Sequence, residues 1–325
     1  MKKGIKMRKK YILALGVVAT VLTLLLLYFF PLNTEEPTNP SNQTIRYAKK
    51  TEKYSHPIKP VIHRKGHNVY IQMTAQVTKL KIAPGIIHQA WTFNGTVPGP
   101  ILKVNQGDTL HISFKNLDPN MPHSVDFHAV NASPSKNFAN VLPNKSGEFV
   151  YTTDTPGIFM YHCDTEPVLE HVANGMFGMI IVKPKSGYPT DNQVDRTFTL
   201  IQSEWYDESN SNSLQNGTPQ AVVFNGKDFS MQKPLAARNG ERIRLEIVNA
   251  GPNHFSAFHV IGAVFDRVYL NGNPADMLHG QQTVTIPPGG SAIVEFVVKE
   301  KGDYPIISHS LMDMQKGAKI ILHAE

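Results

Sequence analysis

The chain has 325 residues, of which 41% are hydrophobic, so it is long enough for one or two domains that each bury a core. Its formal charge of +6 is confined to the N-terminus, because six lysines and arginines among the first ten residues have no acidic neighbour, and the remaining 26 basic residues equal the 26 acidic ones. This balance argues against a nucleic-acid-binding protein, which needs a basic face on its folded part, and the single cysteine excludes an internal disulfide.

The N-terminal segment is typical of a membrane anchor. A basic cluster precedes Tyr11 to Phe30, 20 residues without a charge, which is about the length of a helix that spans a bilayer. Cleavable signal peptides have shorter apolar cores and a small-residue cleavage site; neither is present, and a signal with an unusual cleavage site is the alternative. We predict an anchor or uncleaved signal over residues 1–30, a flexible polar linker over residues 31–59, and a folded part outside the cytoplasm.

Two sets of short runs, in which apolar and polar residues alternate, predict an all-β protein. The first set lies between Val69 and Lys185 and comprises VYIQMTAQV, ILKV, DTLHISF, GEFVYTT, IFMYH and MFGMIIVK. The second follows the linker SGYPTDNQVD and comprises RTFTLIQSEWY, AVVFNG, ERIRLEIVNA, FHVIGAVFDRVYL, QTVTIPPGGSAIVEFVV, GDYPIISHS and KGAKIILHA. Clusters of Gly, Pro and Asn separate the runs at intervals typical of antiparallel sandwiches. Each set contains a similar element, QGDTLHISFKN in the first and NGERIRLEIVN in the second. We therefore predict two sandwich domains of one type, over residues 60–186 and 187–325.

The stretch from Met121 to Met176 contains a set of soft metal ligands. His123, Cys163, His171 and Met176 offer two imidazoles, one thiolate and one thioether, which is the ligand set of a blue-copper electron-transfer centre. With the spacing C-x7-H-x4-M, three of these ligands come from the end of one strand and the loop that follows it. His123 comes from a distant strand. The first domain is therefore predicted to bind copper.

His128 and His162 remain for a second metal. Adjacent residues of a strand point to opposite faces, so we expect His162 to project away from the site of Cys163, and His128 to leave the same way. Two imidazoles are an incomplete site, and His309 of the second half is the candidate third ligand. Three imidazoles and a water form an open, catalytic site, and the peptide link between His162 and Cys163 is then a covalent route for an electron.

Taken together, the motifs resemble those of the copper-containing nitrite reductases, particularly the branch with a short loop between the cysteine and the second histidine of the blue site. The resemblance covers Val69 to the C-terminus and rests on WTFNGTVPGP, MPHSVDFHA, YHC with HVANGM, AFHVIGAVFDRVY, and SHS followed by KGA. It implies two tandem cupredoxin-like Greek-key β-sandwich domains and a homotrimer. It also implies reduction of nitrite to nitric oxide, with electrons from an extracytoplasmic donor such as a cytochrome or a cupredoxin.

The resemblance also implies roles for single residues. The implied ligands are His123, Cys163, His171 and Met176 for type 1 copper, and His128, His162 and the neighbouring subunit's His309 for type 2 copper. Asp126 and His259 correspond to the catalytic acid and histidine, and Ile261 to the apolar residue over type 2 copper. Because nitrite reduction consumes two protons, Asp126 is expected to deliver one and His259 the second through water. A strand-end hydrogen bond for Asp126 and a core position for His259 are the alternatives.

Two other functions compete with nitrite reduction. A laccase-like multicopper oxidase needs histidines in H-x-H pairs for its trinuclear cluster, and the sequence contains no such pair and has Asp164 after Cys163. A two-copper enzyme acting on another small oxidant remains open. A membrane-tethered copper electron carrier would use the blue site alone, and it would have no use for the five additional candidate residues.

Overall fold

The computed structural model describes residues 60–207 and 209–325, which form four β-sheets connected by loops and short helices. The all-β, two-sandwich prediction is confirmed by this arrangement. The predicted anchor, residues 1–30, and the predicted linker, residues 31–59, lie outside the described residues. Within the part of the chain that the structure describes, no helix is both long enough and apolar enough to cross a membrane.

The first sandwich spans residues 61–183. Its strands are β1 (Val61–Lys65), β2 (Asn68–Ala83), β3 (Ile86–Phe93), β4 (Leu102–Asn105), β5 (Asp108–Asn116), β6 (Asp126–Phe127), β7 (Ser146–Thr153), β8 (Gly157–His162) and β9 (Phe177–Lys183), with short helices α1 (Pro134–Asn137) and α2 (Val168–Ala173). One sheet has the order β1-β2-β5-β7, with β3 paired to β2, and the other has the order β4-β9-β8-β6. The core lies between the two sheets and contains side chains from both.

The second sandwich spans residues 196–324. Its strands are β10 (Arg196–Trp205), β11 (Ala221–Phe224), β12 (Leu235–Ala237), β13 (Arg242–Gly251), β14 (Ser256–Val260), β15 (Arg267–Leu270), β16 (Met277–Leu278), β17 (Thr283–Ile286), β18 (Ser291–Val297), β19 (Gly302–Ser308) and β20 (Lys319–Ala324). Short helices α3 (Ser211–Gln215) and α4 (Leu311–Gln315) and a 3₁₀ turn (Phe229–Met231) connect them. The sheet orders are β11-β10-β13-β18-β15-β16 and β12-β20-β19-β14-β17.

Both sandwiches repeat one pattern of strand pairing, as the similar sequence elements predict. β5 is parallel to β2 and antiparallel to β7, and β13 is likewise parallel to β10 and antiparallel to β18. β8 lies between β6 and β9, just as β19 lies between β14 and β20. The strands that carry the candidate histidines are therefore in equivalent positions of the two sandwiches.

The two sandwiches share a buried apolar interface. Ile158 and Met179 of the first sandwich belong to the same buried cluster as Val248 and Ile293 of the second. The backbone N–H of Ile158 also donates to the carbonyl of Asn271 at 2.8 Å. The start of β8 is therefore packed and hydrogen-bonded against the second sandwich.

The structure corrects several details of the strand prediction, among them the run FHVIGAVFDRVYL and the strand β3. The run FHVIGAVFDRVYL is predicted as one element, but it forms β14 and β15, which belong to different sheets. A turn at Gly262, whose φ is +87°, separates them, a conformation that glycine adopts without steric cost. β3 is absent from the predicted strands because its burial does not alternate: its last four residues are all buried.

Candidate metal centres

The first group of candidate ligands lies inside the first sandwich. The Nδ1 atoms of His123 and His171 are 3.2 Å apart, and Cys163 Sγ is 3.9 Å from Nδ1 of His123. All three side chains are buried, and so is Met176. The backbone N–H of Cys163 donates to the carbonyl of Met176 at 3.1 Å, which holds the thioether-bearing residue beside the cysteine. Two nitrogens and one sulfur thus converge on one point from which water is excluded.

The loop between β8 and β9 brings these ligands together. Cys163 follows the last residue of β8, and His171 is in α2. Gly175, with φ +112°, turns the chain after the helix, and the backbone N–H of Met176 donates to the carbonyl of His171 at 3.0 Å. His123 reaches the site from a β-bridge with Val141.

The charges around Cys163 favour its thiolate form, which is the form that binds metals. Burial alone raises the pKa of the thiol, but hydrogen bonds and positive charge from His123 and His171 outweigh burial and hold the pKa well below its ordinary value. The backbone N–H of Ser124 also donates to Cys163 Sγ at 3.4 Å. These contacts together favour an anionic sulfur at the centre of the group.

Two residues of this site are missed by the sequence analysis. Asp118 is fully buried, and its Oδ2 lies 3.1 Å from Nε2 of His123. Although burial opposes both charges, this contact lowers the pKa of Asp118 and, together with the thiolate, raises the pKa of His123. The Trp91 ring packs edge-on against His171, with centroids 4.8 Å apart. An Asp in the turn LDPN looks like an ordinary turn residue, so nothing in the sequence singles it out.

The second group of candidate ligands lies at the end of β8, on the opposite side from Cys163. The Nε2 atoms of His162 and His128 are 3.0 Å apart, and Oδ2 of Asp126 is 3.7 Å from the first and 3.8 Å from the second. Their side chains are 13%, 34% and 21% exposed for His162, His128 and Asp126, respectively. Cys163 and His162 thus face different surroundings, as strand alternation predicts.

The imidazoles of this group are arranged to accept a cation. Nδ1 of His162 lies 2.9 Å from the carbonyl of Cys163, so it carries the hydrogen and leaves Nε2 free as a ligand. Burial and the positive charge of His162 lower the pKa of His128, which favours the neutral, metal-binding form of its ring. A Cβ on Gly289 of the second sandwich would lie 3.2 Å from the His128 ring. The group therefore lies where the two sandwiches meet.

His309 and His259 are not members of this group of ligand atoms in their own chain. Among the described residues, the second cluster of ligand atoms comprises Asp126, His128 and His162. The exposed ring of His309 instead packs against the ring of His259, with centroids 5.5 Å apart.

The same surface of the second sandwich includes further groups near these two histidines. Nδ1 of His259 lies 2.6 Å from the carbonyl of Gln282, and Ile261, two residues further along, is 46% exposed. One chain thus carries two histidine pairs, and among the described residues neither pair is part of a three-histidine group of ligand atoms.

The second sandwich has an equivalent of the first site without its sulfur. The backbone N–H of Ala257 donates to Oγ of Ser308 at 3.3 Å, in the manner in which Ser124 donates to Cys163. Asp313 in α4 lies in the corresponding loop between the last two strands. Because a serine hydroxyl and a carboxylate are hard ligands, this position does not fit a blue-copper centre.

The donor sets of the two groups fit copper of two kinds. A buried thiolate with two imidazoles and an adjacent methionine is the set that selects an electron-transfer copper. Two partly exposed imidazoles beside a carboxylate form an open site that leaves room for a small ligand. The peptide bond between His162 and Cys163 joins the two.

Comparison with known proteins finds a matching family and several similar curated proteins. The family described as multicopper oxidase matches residues 74–187 and again residues 202–321. The copper-containing nitrite reductase of Neisseria gonorrhoeae is 37% identical over 265 residues, which are 77% of this chain and 67% of that protein. That of Pseudomonas chlororaphis is 29% identical over 293 residues, 81% of this chain and 80% of the relative.

Solved structures of a copper nitrite reductase and of a multicopper oxidase are also similar to this chain. The copper nitrite reductase from Nitrosomonas europaea matches with a TM-score of 0.75 and 34% identity, over 79% of this chain and 94% of that one. A multicopper oxidase matches with a TM-score of 0.72 and 23% identity, over 82% of this chain and 93% of that one. The second likeness concerns the fold alone.

Proposed function

Because the chain belongs to the family of copper-containing nitrite reductases, we propose that it reduces nitrite to nitric oxide and water, with one electron and two protons consumed per nitrite. The observation that carries this proposal is the pairing of a buried thiolate group with an open imidazole group through the peptide bond between Cys163 and His162. Bound copper supplies one-electron redox chemistry at the first group and a Lewis-acidic position for nitrite at the second.

The backbone of Cys163 and His162 is the proposed electron route. The two side chains lie in different groups, so a single peptide unit connects the sulfur to the imidazole. A hydrogen bond adds a second connection, because Nδ1 of His162 lies 2.9 Å from the carbonyl of Cys163. The proposed donor is a cytochrome or a cupredoxin outside the cytoplasm. Rapid mixing with such a reduced donor should bleach the thiolate-to-copper band at a rate that rises with donor concentration; a concentration-independent rate would argue against it.

Asp126 and His259 are the proposed proton donors. The Asp126 carboxylate lies less than 4 Å from Nε2 of both His128 and His162, so it faces the space that nitrite would occupy and can hold a proton there. Nδ1 of His259 is engaged by the carbonyl of Gln282, which leaves Nε2 free to pass a second proton through water. Ile261 would restrict the same space with an apolar side chain.

The second copper site is proposed to form between subunits of a homotrimer. The pair His128 and His162 lacks a third imidazole, while His309 is exposed on the second sandwich beside His259. A head-to-tail ring brings two different surfaces together at every interface. The pair of one subunit would then be completed by His309 of the partner subunit, and His259 would arrive with it.

A mixing experiment tests the shared site. His309→Ala and His128→Ala are each expected to lose the second copper and nitrite turnover, since each removes one of three imidazoles. Assemblies formed by co-expressing the two variants should recover part of the activity. Where a His309→Ala chain supplies the pair and the adjacent His128→Ala chain supplies His309, the interface retains all three histidines. If co-expressed chains mix but stay as inactive as either variant alone, the site is completed within one chain and the proposed arrangement is wrong.

Nitrite turnover itself is tested with the purified protein, a reduced artificial donor and a nitric oxide electrode. We expect nitric oxide release together with two spectroscopically distinct coppers. Both coppers without nitric oxide would reject nitrite and leave an enzyme for another small oxidant. Copper of the thiolate type alone would support an electron carrier.

We also propose that the chain is held at the outer face of the membrane by Tyr11 to Phe30. The support is the uncharged stretch of 20 residues that follows the basic cluster. Cell fractionation should find the full chain in the membrane fraction and a chain lacking residues 1–30 in the soluble fraction. Equal recovery of the full chain in the soluble fraction would contradict this localisation.

A further inference from the structure

We propose that Asp118 is a positioning residue of the first metal centre, which fixes the ring orientation and tautomer of His123 so that Nδ1 is free to bind the metal. This inference rests on the proposed copper site and concerns a residue that makes no contact with the second group. It predicts that one histidine ligand is controlled by a carboxylate and the other is not.

The contact between the side chains of Asp118 and His123 is direct and buried. Oδ2 of Asp118 lies 3.1 Å from Nε2 of His123, and the two side chains are 0% and 1% exposed, respectively. A carboxylate only accepts hydrogen bonds, so the ring hydrogen is on Nε2. Nδ1 is then the atom that a metal would bind, since it faces Nδ1 of His171 at 3.2 Å and Cys163 Sγ at 3.9 Å.

The carboxylate is itself held in place by the surrounding backbone. Oδ1 of Asp118 accepts the N–H of Asn120 at 2.8 Å and that of Met121 at 3.4 Å. The N–H of Asp118 donates to the side chain of Asn116 at 2.9 Å. Asn116 in turn donates to the carbonyl of Val141, at 2.9 Å, the residue that forms the β-bridge with His123. The carboxylate cannot rotate without breaking these bonds, so it transmits a fixed orientation to the ring.

His171 provides an internal contrast. Its Nε2 is buried and has no hydrogen-bond partner among the described residues, and its ring is oriented by packing against Trp91. The carboxylate is therefore hydrogen-bonded to one of the two imidazole ligands and not to the other. Carboxylates hydrogen-bonded to metal-ligating histidines orient the ring and raise its basicity, and a nearby negative charge favours the more oxidised metal.

The Asp118 side chain has two roles, since it accepts backbone N–H groups in the turn and it accepts the Nε2 hydrogen of His123. The variant Asp118→Asn separates them. An asparagine keeps one carbonyl oxygen for the N–H groups of Asn120 and Met121, so the turn is retained. Its NH₂ group then faces Nε2 of His123, and two donors cannot pair. The ring must either lose this bond or move its hydrogen to Nδ1, which is the atom that binds the metal.

We expect copper affinity at the first centre of Asp118→Asn to fall about 10- to 100-fold, and the reduction potential of the copper that still binds to become more positive. The matched control is Asp108→Asn: Asp108 is also fully buried and accepts a backbone N–H, from Asn105 at 2.6 Å, but it contacts none of the candidate ligands. An Asp118→Asn protein with wild-type affinity and potential would overturn the proposal.

A measurement on the wild-type chain covers the case in which Asp118→Asn does not fold. In the Cu(I)-loaded protein, nitrogen-resolved proton NMR should find the Nε2 hydrogen of His123 at low field and exchanging slowly with water, whereas the corresponding hydrogen of His171 should lack the low-field shift. Equivalent signals for both rings would reject the role of Asp118. A wild-type protein without a thiolate-to-copper band would instead reject the copper site itself.

Discussion

Replacing Cys163 by alanine is expected to abolish the visible thiolate-to-copper band and nitrite turnover, while copper at the second group remains bound. The reason is that this thiolate is the single sulfur anion of the first group, and the chain has no other cysteine to replace it. The proposed electron route through the peptide bond to His162 would also lose the sulfur at which it begins. Copper analysis, visible and electron paramagnetic resonance spectra, and nitric oxide release measure the three effects together.

The matched variant for this experiment is Cys163→Ser. The second sandwich already has a serine in the equivalent position, where Ser308 accepts a backbone N–H at 3.3 Å, so the substitution is compatible with the local fold. It should lose the band as completely as the alanine variant. Retention of colour in either variant would refute the assignment of the thiolate as a ligand.

Replacing Asp126 by asparagine is expected to keep both coppers but to slow turnover by about 10²- to 10⁴-fold, the usual contribution of a positioned acid–base group. The side chain remains nearly the same size, so the imidazoles of His128 and His162 keep their positions. What is lost is a group that can hold and release a proton beside nitrite. Steady-state rates across pH, together with copper content, separate a proton-transfer defect from loss of the metal.

Asp164→Asn is the control for that variant. Asp164 is a partly exposed carboxylate one residue beyond Cys163, but it is not a member of either group of ligand atoms. With a small artificial donor, its substitution should change turnover little. Equal losses in the Asp126 and Asp164 variants would indicate a general effect of negative charge and remove the specific role of Asp126.

The predictable parts of this protein follow from local sequence. Alternating runs predict the strands because side chains of a strand alternate between two faces, and this holds for β5, which has one face in the core. It fails for β3, whose last four residues are all buried. The split of FHVIGAVFDRVYL into β14 and β15 is missed because one glycine in an apolar run gives only a weak signal for a change of sheet.

By itself, the sequence determined the all-β class, the repeat of two sandwiches and the candidate ligands on either side of the Cys163–His162 peptide bond, since these depend on residue type and short spacing. The tertiary structure alone decided three things that depend on distant segments: the buried contact between Asp118 and His123, the packing of the second sandwich against His128, and the separation of His309 from that histidine within one chain. Contacts between segments far apart in the chain are set by how the sheets pack, and no local pattern records that packing.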